Sequence, residues 1–376
     1  MKNHKRAWAE INLSKLESNL NTIKSDFSGN TDIMAVVKAD AYGHGEKEIL
    51  KKLNEIGIRY FAVSNLDEAI SVRSVCKDHE ILILGYTPPE YADEIININI
   101  IQCIVSGEYA DCLSSNANGP LRCHIKIDTG MGRIGLKYNS VAECCDEIQR
   151  IISLNNLIVE GIFTHFAVAD SDSPENVEYT KKQAEYIKDV YKELVNRGIR
   201  LKHIHFLNSA GAGYHYDSMS TLARIGITMY GLYPNYELEL PYELSPVMEF
   251  KAVVSDVKTV CEGDSISYGR TYTAEKNTRI ATVTVGYADG YSRLLSSKGQ
   301  VILRGKRCNI LGRVCMDQMM IDVSEIPDAS AGDIVTLIGT DENETITADE
   351  LASWYGTIGY EVVCGISKRV PRIYVE

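Results

Sequence analysis

Residues 33–45 read Ile-Met-Ala-Val-Val-Lys-Ala-Asp-Ala-Tyr-Gly-His-Gly. Five apolar residues in a row match a strand buried on both faces, as in a parallel sheet covered by helices. The run stops at Lys38, and Asp40, Tyr42, Gly43, His44 and Gly45 follow as a polar, glycine-rich turn. A lysine at the mouth of such a strand meets apolar surroundings that favour its neutral amine. That amine is a nucleophile towards aldehydes and a base towards carbon acids. Tyr42, four residues on, brings a hydroxyl back over the same strand end. A lysine that merely snorkels out of the strand is the plain alternative, and the rest of the chain decides between the two.

Outward from this stretch, short β-rich runs alternate with helical ones. Strands are expected at 33–38, 60–64, 81–85, 101–106, 122–128, 157–165, 203–208 and 223–228, with helices at 46–56, 66–77, 140–153 and 174–196. The last helix starts well, with Ser173 before Pro174 in the first turn and Glu175 behind it. Eight strands with intervening helices match the rhythm of an α/β fold of the (β/α)8 TIM-type barrel; a doubly wound sheet rarely needs eight such units. In a barrel the reactive groups collect at the carboxyl ends of the strands. Lys38, Lys126 with Asp128, His165, Asn208 with Ser209, and Arg224 all fall at or near such ends. Arginine, lysine and histidine in one barrel mouth suit an anionic ligand.

After Tyr233 and Pro234 the texture changes. Residues 235–246 are polar with two prolines and read as a linker. Beyond them, short strands at 247–260, 279–285, 300–304, 308–314, 319–323 and 334–338 are separated by glycine-containing turns, with one helix at 347–355. The expected organisation is a barrel over 14–235 followed by a mostly β C-terminal domain over 236–376, which an N-terminal strand at 7–13 joins.

Composition narrows the function. A net charge of -12 argues against a nucleic-acid partner, because nothing neutralises phosphates along a track. No apolar run approaches the ~20 residues of a membrane helix. The basic opening is followed by Trp8, Glu10 and Asn12 where a signal peptide carries its apolar region, so a cytoplasmic protein without membrane contact is expected, or the cytosolic part of a longer anchored one. Ten cysteines contain no Cys-x-x-Cys pair and read as reduced thiols. His203 and His205 share one strand face, but no third metal ligand follows, and a structural role is favoured. Asp128-Thr-Gly occurs once and is dismissed as a protease triplet. Ser209-Ala-Gly-Ala-Gly lacks the spacing of a dinucleotide fingerprint.

The motifs together carry a family likeness. Ala35-Val-Val-Lys-Ala-Asp-Ala-Tyr-Gly-His-Gly resembles the cofactor-lysine signature of the bacterial alanine racemases. So do Lys126-Ile-Asp-Thr-Gly-Met-Gly-Arg, Thr164-His-Phe-Ala, Asn208-Ser, Arg224-Ile-Gly, Ser267-Tyr-Gly, Gly286-Tyr-Ala-Asp-Gly, Gly312-Arg-Val-Cys-Met-Asp-Gln, Tyr360-Glu-Val and Arg369-Val-Pro-Arg, in the same order along nearly the whole chain. The resemblance implies pyridoxal 5′-phosphate, an amino-acid substrate and a head-to-tail homodimer with shared active sites. It assigns Lys38 to the cofactor and to one face of the substrate Cα, and Tyr268 of the partner subunit to the other. Tyr42, Ser209, Tyr360 and the backbone near Gly226 would hold the phosphate, Asn208 and His165 would also bind the cofactor, and His165 with Arg224 would favour the phenolate of Tyr268. Arg224 would face the pyridine nitrogen and, unable to give up its proton readily, leave that nitrogen unprotonated. Arg133 would hold the cofactor's phenolic oxygen and the substrate carboxylate, with the Met316 amide assisting, Lys126 would orient Arg133, and Tyr287 and Asp317 would line the entrance. Conversion of L- to D-alanine for peptidoglycan precursors is the expected function. The serine racemases of glycopeptide resistance share this catalytic unit and are the alternative. A decarboxylase of similar architecture and a non-catalytic cofactor-binding protein are more distant rivals.

Overall fold

In the computed structural model, which describes residues 6–376, the expected strand rhythm closes into a barrel. Its eight parallel strands are Asp32–Val36, Tyr60–Val63, Glu80–Ile83, Ile101–Ile104, Leu121–Lys126, Leu157–Phe163, His203–His205 and Leu222–Ile225. Each pairs with the next, and a Leu207–Ala223 bridge joins the seventh to the eighth. The eighth then pairs with the first, Ile33 opposite Ala223 and Ala35 opposite Ile225, so no edge is left open. The first strand shows why the sequence folds this way: Ile33, Met34, Ala35 and Val36 are all buried. It ends at Val36, two residues before the expected boundary.

The helices between the strands take their bounds from capping side chains. Asn65, Ser106, Ser140 and Ser173 each accept a hydrogen bond from the backbone amide three residues on, starting the helices Leu66–Val75, Gly107–Asn116, Val141–Ile152 and Pro174–Asn196. Each tends one stripe of apolar residues towards the barrel, for example Cys144, Cys145, Ile148 and Ile151.

The second sheet is organised by one long strand, Met248–Val260. It pairs antiparallel with Thr278–Val283, with Ile334–Asp341 and with Ala7–Asn12. Because Gln300–Leu303, Lys306–Leu311 and Met319–Asp322 run between its first two partners, this part of the sheet also closes on itself. The first strand of the chain thus lies in the last sheet, flanked on its other side by Arg372–Val375 in parallel register. Two short helices, Ala348–Tyr355 and Gly359–Gly365, return from the β region to the barrel mouth. Of these, only the first is legible as a helix in the sequence.

Candidate active site

Lys38 opens an unusual turn. Ala39, Asp40, Ala41 and Tyr42 all have φ between 53° and 55°, one turn of left-handed helix made without glycine, and Gly43 ends it at φ 80°. A left-handed conformation costs roughly 1–2 kcal/mol per L-residue, so the surroundings must hold it. Glu68 accepts from the Ala39 amide at 2.8 Å, and Asp40 accepts from the Glu46 amide at 2.8 Å. His44 Nδ1 lies 3.1 and 3.0 Å from the carbonyls of Ala41 and Tyr42, while Arg372 Nε donates to the Gly43 carbonyl at 2.9 Å. The result places Lys38 and the Tyr42 ring together, with Nζ 6.0 Å from the ring centroid.

Both side chains face a cavity of about 530 Å³ at the carboxyl end of the barrel. His165, Asn208, Ser209, Arg224, Gly226 and Tyr360 line it too. The cations around it are not matched by carboxylates at hydrogen-bond distance. Burial, with Arg133 adding to it, lowers the pKa of Lys38; burial pulls Lys126 down to about 8 and Arg224 to about 9. Arg224 therefore remains a cation at neutral pH. Its Nη2 donates to the Thr164 carbonyl at 2.7 Å and its Nη1 to the His205 carbonyl at 3.0 Å. His165 is half-buried, with Nδ1 3.4 Å from Arg224 Nη2; desolvation, with Arg224, Lys126, Arg133 and Lys38 adding to it, holds its pKa well below the usual range. It stands as a neutral ring.

The floor of the cavity is built for an anion carried on a flat group. Gly226 donates its amide to Ser209 Oγ at 2.9 Å, and a Cβ on Gly226 would stand 2.7 Å from the Tyr42 hydroxyl. Only a glycine lets backbone and phenol approach so closely. Burial raises the pKa of Tyr42 and of Tyr360, so both keep their protons and face the cavity as donors. Asn208 lines the cavity but spends its side-chain oxygen on the Gly211 amide at 2.7 Å, starting the turn Ser209–Tyr214. Uncompensated cations, protonated phenols and a glycine cradle fit a phosphate-bearing aldehyde.

Arg133 sits in a loop pinched by the Ile127–Leu136 bridge, with Asp128 accepting from the Gly130 and Gly132 amides. It is exposed, and its charge is felt at Lys38, Lys126 and His165. The remaining sequence-derived residues lie elsewhere. Tyr268, Met316 and Asp317 line a separate groove with Ser267, Cys315 and Gln318, and no residue is shared between this groove and the cavity. Tyr268 is 69% exposed. Tyr287 joins the groove's rear wall through its amide, which donates to the Cys315 carbonyl at 3.0 Å.

Comparison with known proteins decides what this arrangement belongs to. The family described as "Alanine racemase, N-terminal domain" matches residues 11–234, and "Alanine racemase, C-terminal domain" matches 247–374. The chain is 41% identical to alanine racemase 1 of Clostridium acetobutylicum, over 98% of this chain and 95% of the relative. It is 43% identical to the alanine racemase of Desulfovibrio desulfuricans, over 98% of each. The crystal structure of alanine racemase from Bacillus anthracis with bound L-Ala-P superposes with a TM-score of 0.93 at 35% identity, covering 100% of this chain and 96% of that one.

The chain belongs to the alanine racemase family.

It is a pyridoxal 5′-phosphate-dependent isomerase that racemises alanine, and the serine alternative finds no support in these relatives. Within this racemase, sequence reasoning missed the groups that shape the Tyr268 groove. Asp289 is fully buried and bound by Arg6 at 2.7 and 2.8 Å and by Arg369 at 2.9 Å. Arg369 also reaches Asp317 at 2.6 Å. Asp289 thus ties Arg6 and Arg369 together beside Asp317 in the Tyr268 groove. Its signal lay in Gly286-Tyr-Ala-Asp-Gly and Arg369-Val-Pro-Arg, strings that carried the family likeness without showing that they meet.

Proposed function

We propose that this racemase assembles each active site from two copies of the chain in a homodimer. Residues 14–235 supply the cofactor cavity, and residues 236–376 with the strand at 7–13 supply the second face. The observation that carries the reading is the separation described above: a half-buried lysine in one cavity, and an exposed tyrosine on a groove that shares no lining residue with it. Racemisation needs a proton donor and acceptor on each side of Cα. A second copy with its Tyr268 groove over the barrel mouth meets that need, and covers an exposed Tyr268 and a half-exposed Met316.

In this arrangement Lys38 moves the proton on one face of Cα, and Tyr268 of the partner subunit moves it on the other. When bound, pyridoxal 5′-phosphate supplies the carbonyl that takes up the substrate amine and the ring that spreads negative charge from Cα. Tyr42, Tyr360, Ser209 and the backbone near Gly226 hold the phosphate. Arg224 presents N–H groups and no acceptor towards the ring nitrogen, which keeps a proton off it and limits the charge withdrawn from Cα. Arg133, oriented by Lys126, and the Met316 amide fix the substrate carboxylate, while Tyr287 and Asp317 narrow the approach. Among the described residues no helix is long and apolar enough to cross a membrane. We place the reaction in the cytoplasm, supplying D-alanine to wall precursors.

The direct test incubates the pure protein with L-alanine and with L-serine separately and resolves the enantiomers. D-alanine should form much the faster. Borohydride treatment should fix the cofactor on the peptide containing Lys38; label on Lys126 instead would overturn the assignment of roles.

A further inference from the structure

A chain of three buried side chains runs from the cavity into the barrel interior. Arg224 Nη1 lies 3.0 Å from His205 Nδ1, and His205 Nε2 lies 2.9 Å from His124 Nδ1. All three are buried. A guanidinium has only donors, so His205 Nδ1 must offer its lone pair. His205 then carries its proton on Nε2 and donates it to His124 Nδ1. His124 in turn carries its own proton on Nε2, which is buried without a hydrogen-bond partner. The direction of every hydrogen bond is thereby fixed from the arginine inwards.

The packing around His124 is cut to admit it. A Cβ on Gly161 would stand 3.2 Å from His124 Cε1 and 2.9 Å from the His203 carbonyl. Phe163 stacks on the His205 ring at 4.8 Å and 4°, which holds that imidazole in one plane. A buried N–H left unpaired at His124 Nε2 is costly, yet the same ring supplies the acceptor His205 needs. Remove that acceptor, and the His205 Nε2–H is left unpaired in the barrel interior, so the ring loses the bond that anchors its far edge and only packing holds its lone pair against Arg224.

We infer that His124 is a positioning residue: by accepting from His205 it holds that ring's lone pair against Arg224, and so fixes the guanidinium at the cavity floor. The inference rests on the proposed placing of Arg224 opposite the cofactor ring. His124 touches neither substrate nor cofactor, and its influence passes through two hydrogen bonds.

The test uses apoprotein with ring-15N histidine, read by NMR at neutral pH, with His124→Asn and His205→Asn giving the assignments. Wild type should show His205 and His124 both neutral, each with its proton on Nε2. Asparagine at 124 places an oxygen near the Nδ1 position, and leucine has the same branching without an acceptor. His124→Leu should leave the proton on His205 Nε2 but shift that nitrogen's signal as its hydrogen bond is lost, and lower kcat about tenfold, the smaller end of what outer partners of a site cost, with little change in KM. His124→Asn should restore both. A wild-type His205 protonated on Nδ1, or on both nitrogens, overturns the inference without any variant. So does a leucine variant with wild-type signals, or equal loss in both variants. Wild-type turnover of alanine tests the underlying reading separately, because the imidazole signals are read without cofactor.

Discussion

Replacing Lys126 by methionine should make the apoprotein more stable, although it damages the site. Lys126 is 4% exposed, and its amine lies 5.8 Å from the Phe163 ring centroid. Burial lowers its pKa from 10.5 to about 8, with Arg133 and Arg224 pushing the same way and Cys103 and Asp128 opposing. At 1.36 kcal/mol per unit, keeping this amine charged in the fold costs ~3 kcal/mol. Methionine keeps an unbranched stem and removes the charge. Urea unfolding at fixed protein concentration, in bicarbonate-free buffer at pH 7, should show the variant stabilised by up to ~3 kcal/mol. The sign with pH follows from the order of titration. Between about pH 8 and 10.5 the unfolded chain holds this proton while the folded chain has released it, so wild-type stability rises through that window. The gap between variant and wild type should close over the same range. A variant that is no more stable at pH 7, or a gap that stays constant to pH 10, would mean that the buried Lys126 charge does not destabilise the fold. Turnover should fall in either case, because Arg133 loses its neighbour.

Two other substitutions probe the cofactor cradle. Gly226→Ala places a methyl 2.7 Å from the Tyr42 hydroxyl, and Tyr42 is packed between Tyr230 and Tyr360. Overpacking of this kind costs roughly 1–3 kcal/mol, so apoprotein titrated with pyridoxal 5′-phosphate should bind about tenfold more weakly; unchanged affinity would remove Gly226 from the cradle. Ala39→Gly relieves one left-handed residue on an exposed position at φ 53°. The relief of roughly 1–2 kcal/mol exceeds the added freedom of the unfolded chain, and thermal unfolding should shift up by a few degrees. A lower midpoint would mean that the turn is not strained.

Much of the fold was legible because buried parallel strands announce themselves as apolar runs. The run 33–37 is an example, and the barrel rule then placed Lys38, His165, Asn208 and Arg224 at one end. The left-handed turn was not legible. Lys-Ala-Asp-Ala-Tyr contains no glycine before Gly43, and the groups that hold the turn, Glu68 and Arg372, lie 29 and 329 residues away from their partners. The helix Gly359–Gly365, which delivers Tyr360 to the cavity, is seven residues long with Val362 and Val363 inside it, a composition that reads as strand. His205 looked like half of a possible metal pair with His203. The structure pairs it instead with His124 and Arg224, from strands that only the closed barrel brings together. Arg6, Asp289 and Arg369 escaped for the same reason, since a contact across 283 residues has no local signature.

Subunit exchange shows whether each active site draws Lys38 from one copy of the chain and Tyr268 from the other. Lys38→Ala and Tyr268→Ala proteins should each be nearly inactive in racemisation. Mixed in equal amounts and allowed to exchange subunits, they form heterodimers in which one site carries both lesions and the other carries neither. Random exchange makes about half of the dimers mixed, each with one intact site, so roughly a quarter of wild-type activity should return. If Lys38 and Tyr268 served the same site from one chain, every site would keep a lesion, and verified heterodimers would show no recovery.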